Sequence, residues 1–120
     1  MKNISFALTT AQVRARQKTV TRRLGWLKAK PGDLLQPVVK GMGLKKGQTV
    51  ERIGGPIRLV AVRRELLRAI DSDDVVREGF PSMTPDEFVA MFCDHNGCTP
   101  DTEIARIEFE YVERGEESRG

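Results

Sequence analysis

Ile4, Phe6 and Leu8 alternate with polar or small residues, so the pattern predicts a short first strand over residues 3–8. Thr9 or Thr10 then caps a helix of about two turns over 10–16, whose basic end suits a helix C-terminus. A turn follows, and the β-branched run 18–23 leads into a second strand or extended segment. Lys30-Pro31-Gly32-Asp33 is a turn signature, and 34–39 reads as a strand that Pro37 confines to an edge or a bulge. Residues 40–56 carry five glycines and several cations and read as a loop that buries little. Alternation resumes over 57–62. Residues 65–70 take helical spacing, and Asp71 to Asp74 stop that helix and cap another short helical turn through 77.

The clearest helix start is Met83-Thr84-Pro85-Asp86-Glu87: Thr84 caps, Pro85 takes the first helical position, and Glu87 completes a capping box. Phe88, Met91 and Phe92 share one face of this helix, and Gly97 ends it. Ala105, Ile107, Phe109 and Tyr111 then alternate with polar residues in the best strand of the chain. Several short strands with interposed helices imply an α+β fold, a small, partly open β-barrel with helices packed at its ends. One domain over residues 1–112 and a polar tail over 113–120 are expected.

Composition changes this picture little until it is resolved along the chain. The 120 residues are 39% hydrophobic, enough for one core, and no apolar run approaches the roughly 18 residues of a membrane helix. The interrupted apolar start is too short for a secretory signal, which makes the cytoplasm the expected location. Two cysteines cannot form a disulfide framework. The net charge of +3, however, divides into +13 over residues 1–68 and −10 over 69–120. Such asymmetry points to a polyanion as partner of the basic half, or to two halves that neutralise each other on folding.

Two runs carry candidate chemistry. The first is Arg16-Gln17-Lys18-Thr19-Val20-Thr21-Arg22-Arg23, followed by the Pro-Gly-Asp turn; the second is Arg77-Glu78-Gly79-Phe80 before the capped helix. With the terminal Ile107-Glu108-Phe109 strand, they resemble the ASCH domain over roughly positions 4–112. The resemblance implies a barrel similar to the PUA domain and a cleft that binds RNA or a modified nucleoside. Small bacterial members of the family hydrolyse the amide of N4-acetylcytidine. On that likeness Lys18, Thr21 and Glu78 are the catalytic candidates, while Thr19, Arg22, Arg23, Trp26 and Phe80 bind substrate or RNA. No cofactor and no metal is implied. Other members resemble metal-dependent ribonucleases, and a binding module without chemistry is the remaining alternative.

The chemistry suits these residue types. Amide hydrolysis needs a nucleophile, a group that takes and returns a proton, and positive charge at the developing oxyanion. Thr21 serves as nucleophile or positions water, Lys18 loses its proton in a desolvated pocket, and Glu78 relays it. A regular strand would point Lys18 and Thr21 to opposite faces, so the triad requires Lys18 to lie in the turn before the strand. The competing readings are a solvated basic face at Lys18, Arg22 and Arg23, an acid at Glu78 that pairs with an arginine, and barrel packing for Trp26 and Phe80. Cys93, His95 and Cys98 fall short of a structural zinc set, leaving a packed Cys93 and a surface His95. A single histidine also disfavours a Ser-His-Asp or Cys-His hydrolase.

Overall fold

A computed structural model describes residues 1–40, 47 and 49–113. Five strands form one mixed sheet: β1 (Lys2–Ser5), β2 (Val20–Arg23), β3 (Leu34–Val38), β4 (Ile57–Leu66) and β5 (Glu103–Tyr111). Helices α1 (Thr10–Arg14), α2 (Ser72–Arg77) and α3 (Pro85–Asn96) and a 3-10 turn at Leu67–Ala69 complete the α+β fold. The strand order is β1-β3-β4-β5-β2, with β1 and β3 parallel and the other pairs antiparallel.

The ladder does not close. β1 and β2 are the two edges of the sheet rather than neighbours, so the expected barrel is an open sheet in which no backbone ladder joins β1 to β2 among the described residues. A side chain spans the seam instead, as Arg23 Nη2 on β2 donates to the Ser5 carbonyl on β1 at 2.6 Å.

Three local expectations change for tertiary reasons. The helix expected over 65–70 is instead the end of β4, because the long β5 offers backbone partners as far as Leu66, opposite Glu103. Pairing with an extended neighbour overrides the helical spacing, and only Leu67–Ala69 turns. The stretch 40–56 is not merely a surface loop: Arg52 bridges Val38, the Ile53 amide donates to the Pro37 carbonyl, and Ile53 is buried in the core. Most of its glycine-rich part, residues 41–46 and 48, lies outside the described residues, as does the tail from 114. Leu8, expected on the inner side of the first strand, is exposed because the chain leaves β1 after Ser5 and turns into α1.

The helix starts follow their capping chemistry. Thr84 and Glu87 form the reciprocal capping box of α3, and Gly97 ends that helix in the left-handed conformation. Asp71 caps α2 by accepting from the Asp74 amide at 2.8 Å. On α1, Thr9 holds the cap position without a side-chain bond, while the Thr10 hydroxyl donates to the Phe6 carbonyl at 2.9 Å.

Two apolar clusters stabilise the fold. Ile4, Phe6, Val13, Leu59, Ile107 and Phe109 belong to one, built on the sheet. Leu67, Ile70, Val75, Phe88, Phe92 and Ile104 make the other, where α2 and α3 cover one end of β4 and β5. Between the clusters lies a cavity.

Candidate functional site

The cavity measures about 310 Å³ and lies at the open seam of the sheet, with Phe6 on one side and Phe88 and Phe92 on the other. That volume is at the small end of ligand pockets, about the scale of a single small molecule. Lys18, Thr21, Arg22, Arg23 and Glu78 all reach its wall, as do Trp26 and Phe80. Thr19 does not. It is half-buried behind the site, its amide donating to the Arg77 carbonyl and its carbonyl accepting from the Phe109 amide.

Lys18 lies in the turn before β2, which is the position that lets it share the cavity with Thr21. The turn is held by its backbone: the amides of Gln17 and Lys18 both donate to the Gln12 carbonyl, and the Tyr111 hydroxyl donates to the Lys18 carbonyl. Arg16 completes it in the left-handed region with φ 59°. Burial pushes the Tyr111 hydroxyl up to about 12, against the opposing charge of Arg16, so it remains a donor at neutral pH.

Glu78 reaches the site from the C-cap of α2, its own amide donating to the Asp74 carbonyl. Lys18 Nζ donates to Glu78 Oε1 at 2.6 Å and to the Glu78 carbonyl at 2.7 Å, and both residues are 3% exposed. Burial lowers the Lys18 ammonium from its ordinary value, and the neighbouring Glu78 carboxylate opposes that shift.

Behind this pair stands a buried lattice of charge. Arg22 donates to Glu78 Oε2 at 3.3 Å, to Glu65 Oε2 at 2.9 Å and to Asp74 Oδ2 at 2.6 Å. Arg106 grips Asp74 in a bidentate fork at 2.6 and 2.8 Å. The hydrogen bonds from Arg106 and Arg22 together hold the Asp74 carboxyl far below the usual carboxylate range. The expected ligand-binding role of Arg22 therefore meets a guanidinium already engaged with three carboxylates and fully shielded from solvent. Its Nε is buried without a partner.

Arg23 differs from Arg22 in having no carboxylate partner among the described residues. Its Nε donates to Thr21 Oγ1 at 3.1 Å, its Nη2 crosses the seam to Ser5, and its guanidinium lies 4.9 Å from the Phe6 ring. Burial lowers it to about 10, which leaves it charged at neutral pH. Lys18, Arg22 and Arg106 face Glu78, Asp74 and Glu65, so Arg23 is the surplus positive charge on the cavity wall.

Thr21 is buried at the cavity wall, but its hydroxyl is bonded to Arg23 and not to Lys18. Trp26 is half-buried, with Lys2 Nζ 4.3 Å from its ring centroid. Phe80 is also half-buried and packs at 5.9 Å from Phe88. Sequence reasoning missed His95 and Asn96, which line the cavity from the last turn of α3. A signal for them exists: Phe88, Met91, Phe92, His95 and Asn96 follow the helical period, so the face that carries the phenylalanines also carries them. His95 is exposed, as expected, but in the helix rather than in the turn after it. Cys93 packs against the helical core cluster, with Cys98 Sγ 4.0 Å from its own. Among the described residues no group of three or more His, Cys, Asp or Glu side chains is placed to hold a metal ion. No helix among them is long and apolar enough to cross a membrane.

The chain is similar to protein EF3133 from Enterococcus faecalis V583, whose crystal structure is described under family-model DUF984. The TM-score is 0.65 at 18% sequence identity, over 100% of this chain and 82% of that one. At that identity the likeness shows the fold alone. No protein-family model and no curated protein matches the chain.

Proposed function

We propose that this α+β domain is an ASCH-type, PUA-like domain that hydrolyses the amide of an N4-acylated cytidine. The observation that supports it is the buried Lys18–Glu78 pair at 2.6 Å in the wall of a cavity that also holds Thr21 and the surplus charge of Arg23.

A lysine and a carboxylate in such contact share one proton, and the reaction draws on the arrangement in which that proton sits on Glu78. In that form Lys18 Nζ is a base and the Glu78 carboxyl an acid. The Thr21 hydroxyl adds to the acyl carbon and gives its proton to Lys18, while Arg23 stabilises the oxyanion. The C–N bond then breaks, and the exocyclic amine leaves with the proton from Glu78. A proton passing from Lys18 to Glu78 resets the pair. Water then attacks the threonyl ester, releasing the carboxylic acid and restoring the hydroxyl, so the net reaction is the addition of one water across the amide. Phe80 and the aromatic face of α3 provide the apolar wall against which a base or an acyl group packs.

Incubation of the protein with N4-acetylcytidine and longer acyl analogues tests this reading by release of cytidine. Turnover that disappears in Thr21→Ala and returns in Thr21→Ser supports it, and absence of turnover with every analogue overturns it. One observation favours a second reading, a binding module: the Thr21 hydroxyl is engaged by Arg23 rather than by Lys18. That reading expects saturable binding of the same nucleosides with none consumed. Shortening of RNA that requires a divalent metal identifies the ribonuclease alternative.

A further inference from the structure

Beyond Trp26 lies a second cavity of about 380 Å³, lined by Lys2, Trp26, Leu27, Lys28, Asp33 and Leu35 among others. Trp26 is a wall of both cavities. Its ring is approached by a cation from each: Lys2, which lines the second, at 4.3 Å, and Arg23, which lines the first, at 6.0 Å. The backbone that presents it is unusual. Gly25 and Trp26 both take left-handed conformations, with φ 75° and 54°. For a bulky aromatic residue this is a costly state, of the kind that clusters at ligand sites. Trp26 packs one side against the sheet core and is half-buried, while the residue beside it, Leu27, is 80% exposed.

We infer that the two cavities are adjacent nucleotide seats sharing Trp26 as their partition, so that the ligand is a short single-stranded oligonucleotide rather than a free nucleoside. The inference rests on the proposed cytidine site for the occupant of the first cavity. The flanking base enters the second cavity and stacks on the indole, displacing the exposed Lys2 ammonium. Lys2 and Lys28 then neutralise the backbone phosphate. An aromatic platform beside cations is the arrangement by which single strands are held without regard to sequence. It also gives part of the basic first half of the chain a direct use.

Trp26 is the only tryptophan, so its fluorescence reports occupancy without any turnover. Titrations with cytidine, with cytidine 5′- and 3′-monophosphates and with the dinucleotide CpC are compared. The dinucleotide is expected to bind at least about tenfold more tightly than cytidine and to quench more strongly. With its single phosphate neutralised, its affinity should fall about fivefold between 50 and 500 mM salt. In the double variant Lys2→Ala/Lys28→Ala the ratio of dinucleotide to nucleoside affinity falls but stays above one, because stacking on the indole remains. Equal affinity for nucleoside and dinucleotide overturns the inference. Monophosphates that match the dinucleotide also overturn it, by removing the seat for a second base. Nucleoside hydrolysis without dinucleotide preference defeats the second seat alone, whereas tight, quenching dinucleotide binding without hydrolysis keeps the seats and defeats the hydrolase.

Discussion

The Gln12 side chain occupies the space that a Cβ on residue 79 would need: a methyl group there would lie 2.9 Å from Gln12 Cγ. Gln12 also donates from Nε2 to the Gly79 carbonyl at 3.2 Å, while its own carbonyl accepts from the Lys18 amide. One residue of α1 therefore ties the Lys18 turn to the Glu78 turn and sets how the buried pair meets.

Gly79→Ala is expected to destabilise the domain by about 2 kcal/mol, from a left-handed φ of 102° that alanine tolerates poorly and from the overlap with Gln12. Thermal unfolding measures the loss. The double variant Gly79→Ala/Gln12→Ala should recover only the part of the loss due to Gln12 Cγ, because the Cβ of residue 12, 3.0 Å from the added methyl, and the backbone strain both remain.

Removing Glu78 leaves the buried Lys18 without a carboxylate, and removing Lys18 leaves Glu78 only the 3.3 Å contact to Arg22, so Glu78→Gln should cost roughly 3–5 kcal/mol and Lys18→Met less. The combined variant should cost less than the sum, because neither charge then remains buried alone. Denaturant titrations of the three variants provide the cycle; additive losses would show that the two groups do not act as a pair.

Arg23→Lys keeps a cation but loses the fork that reaches both Thr21 and Ser5. With an acylated cytidine as substrate, kcat should fall about 100-fold or more, the scale of a lost oxyanion donor. A fall confined to KM would make Arg23 a binding group only.

Asp74 links Arg22 and Arg106 and has its carboxyl held below its ordinary value of 3.8. A depressed acid contributes stability that is present above its unfolded value and is lost as pH falls through the folded one. The melting temperature should therefore drop as pH decreases below about 4. Asp74→Asn should already be destabilised at neutral pH and show a shallower acid slope. An unchanged slope in the variant would place the acid sensitivity in other carboxylates.

Local chemistry makes much of this protein legible in its sequence. The capping box at Thr84 and Glu87, the left-handed stop at Gly97 and the alternation of Ile107, Phe109 and Tyr111 are written into short windows, because each depends on neighbours within a few residues. That Lys18, Thr21 and Glu78 share one site is what the family resemblance implies, and the need for Lys18 to precede the strand follows from the period of a β-strand alone.

What a window cannot contain is decided by tertiary structure. β4 runs on to Leu66 because β5 pairs with it there, and Ile53 is buried because β3 and its flank receive it. The sheet stays open because β1 pairs with β3, leaving Arg23 to span the seam to Ser5. Arg22 and Arg23 are adjacent cations that the period of a strand separates, but sequence does not show what each one meets. Both reach the cavity wall, but one is locked into a lattice of three carboxylates and the other remains as the surplus charge. Charge asymmetry along the chain implies either an anionic partner or internal neutralisation; the fold does the second at Arg22 and leaves Arg23 without a carboxylate among the described residues, because pairing depends on distances that only the packed chain sets.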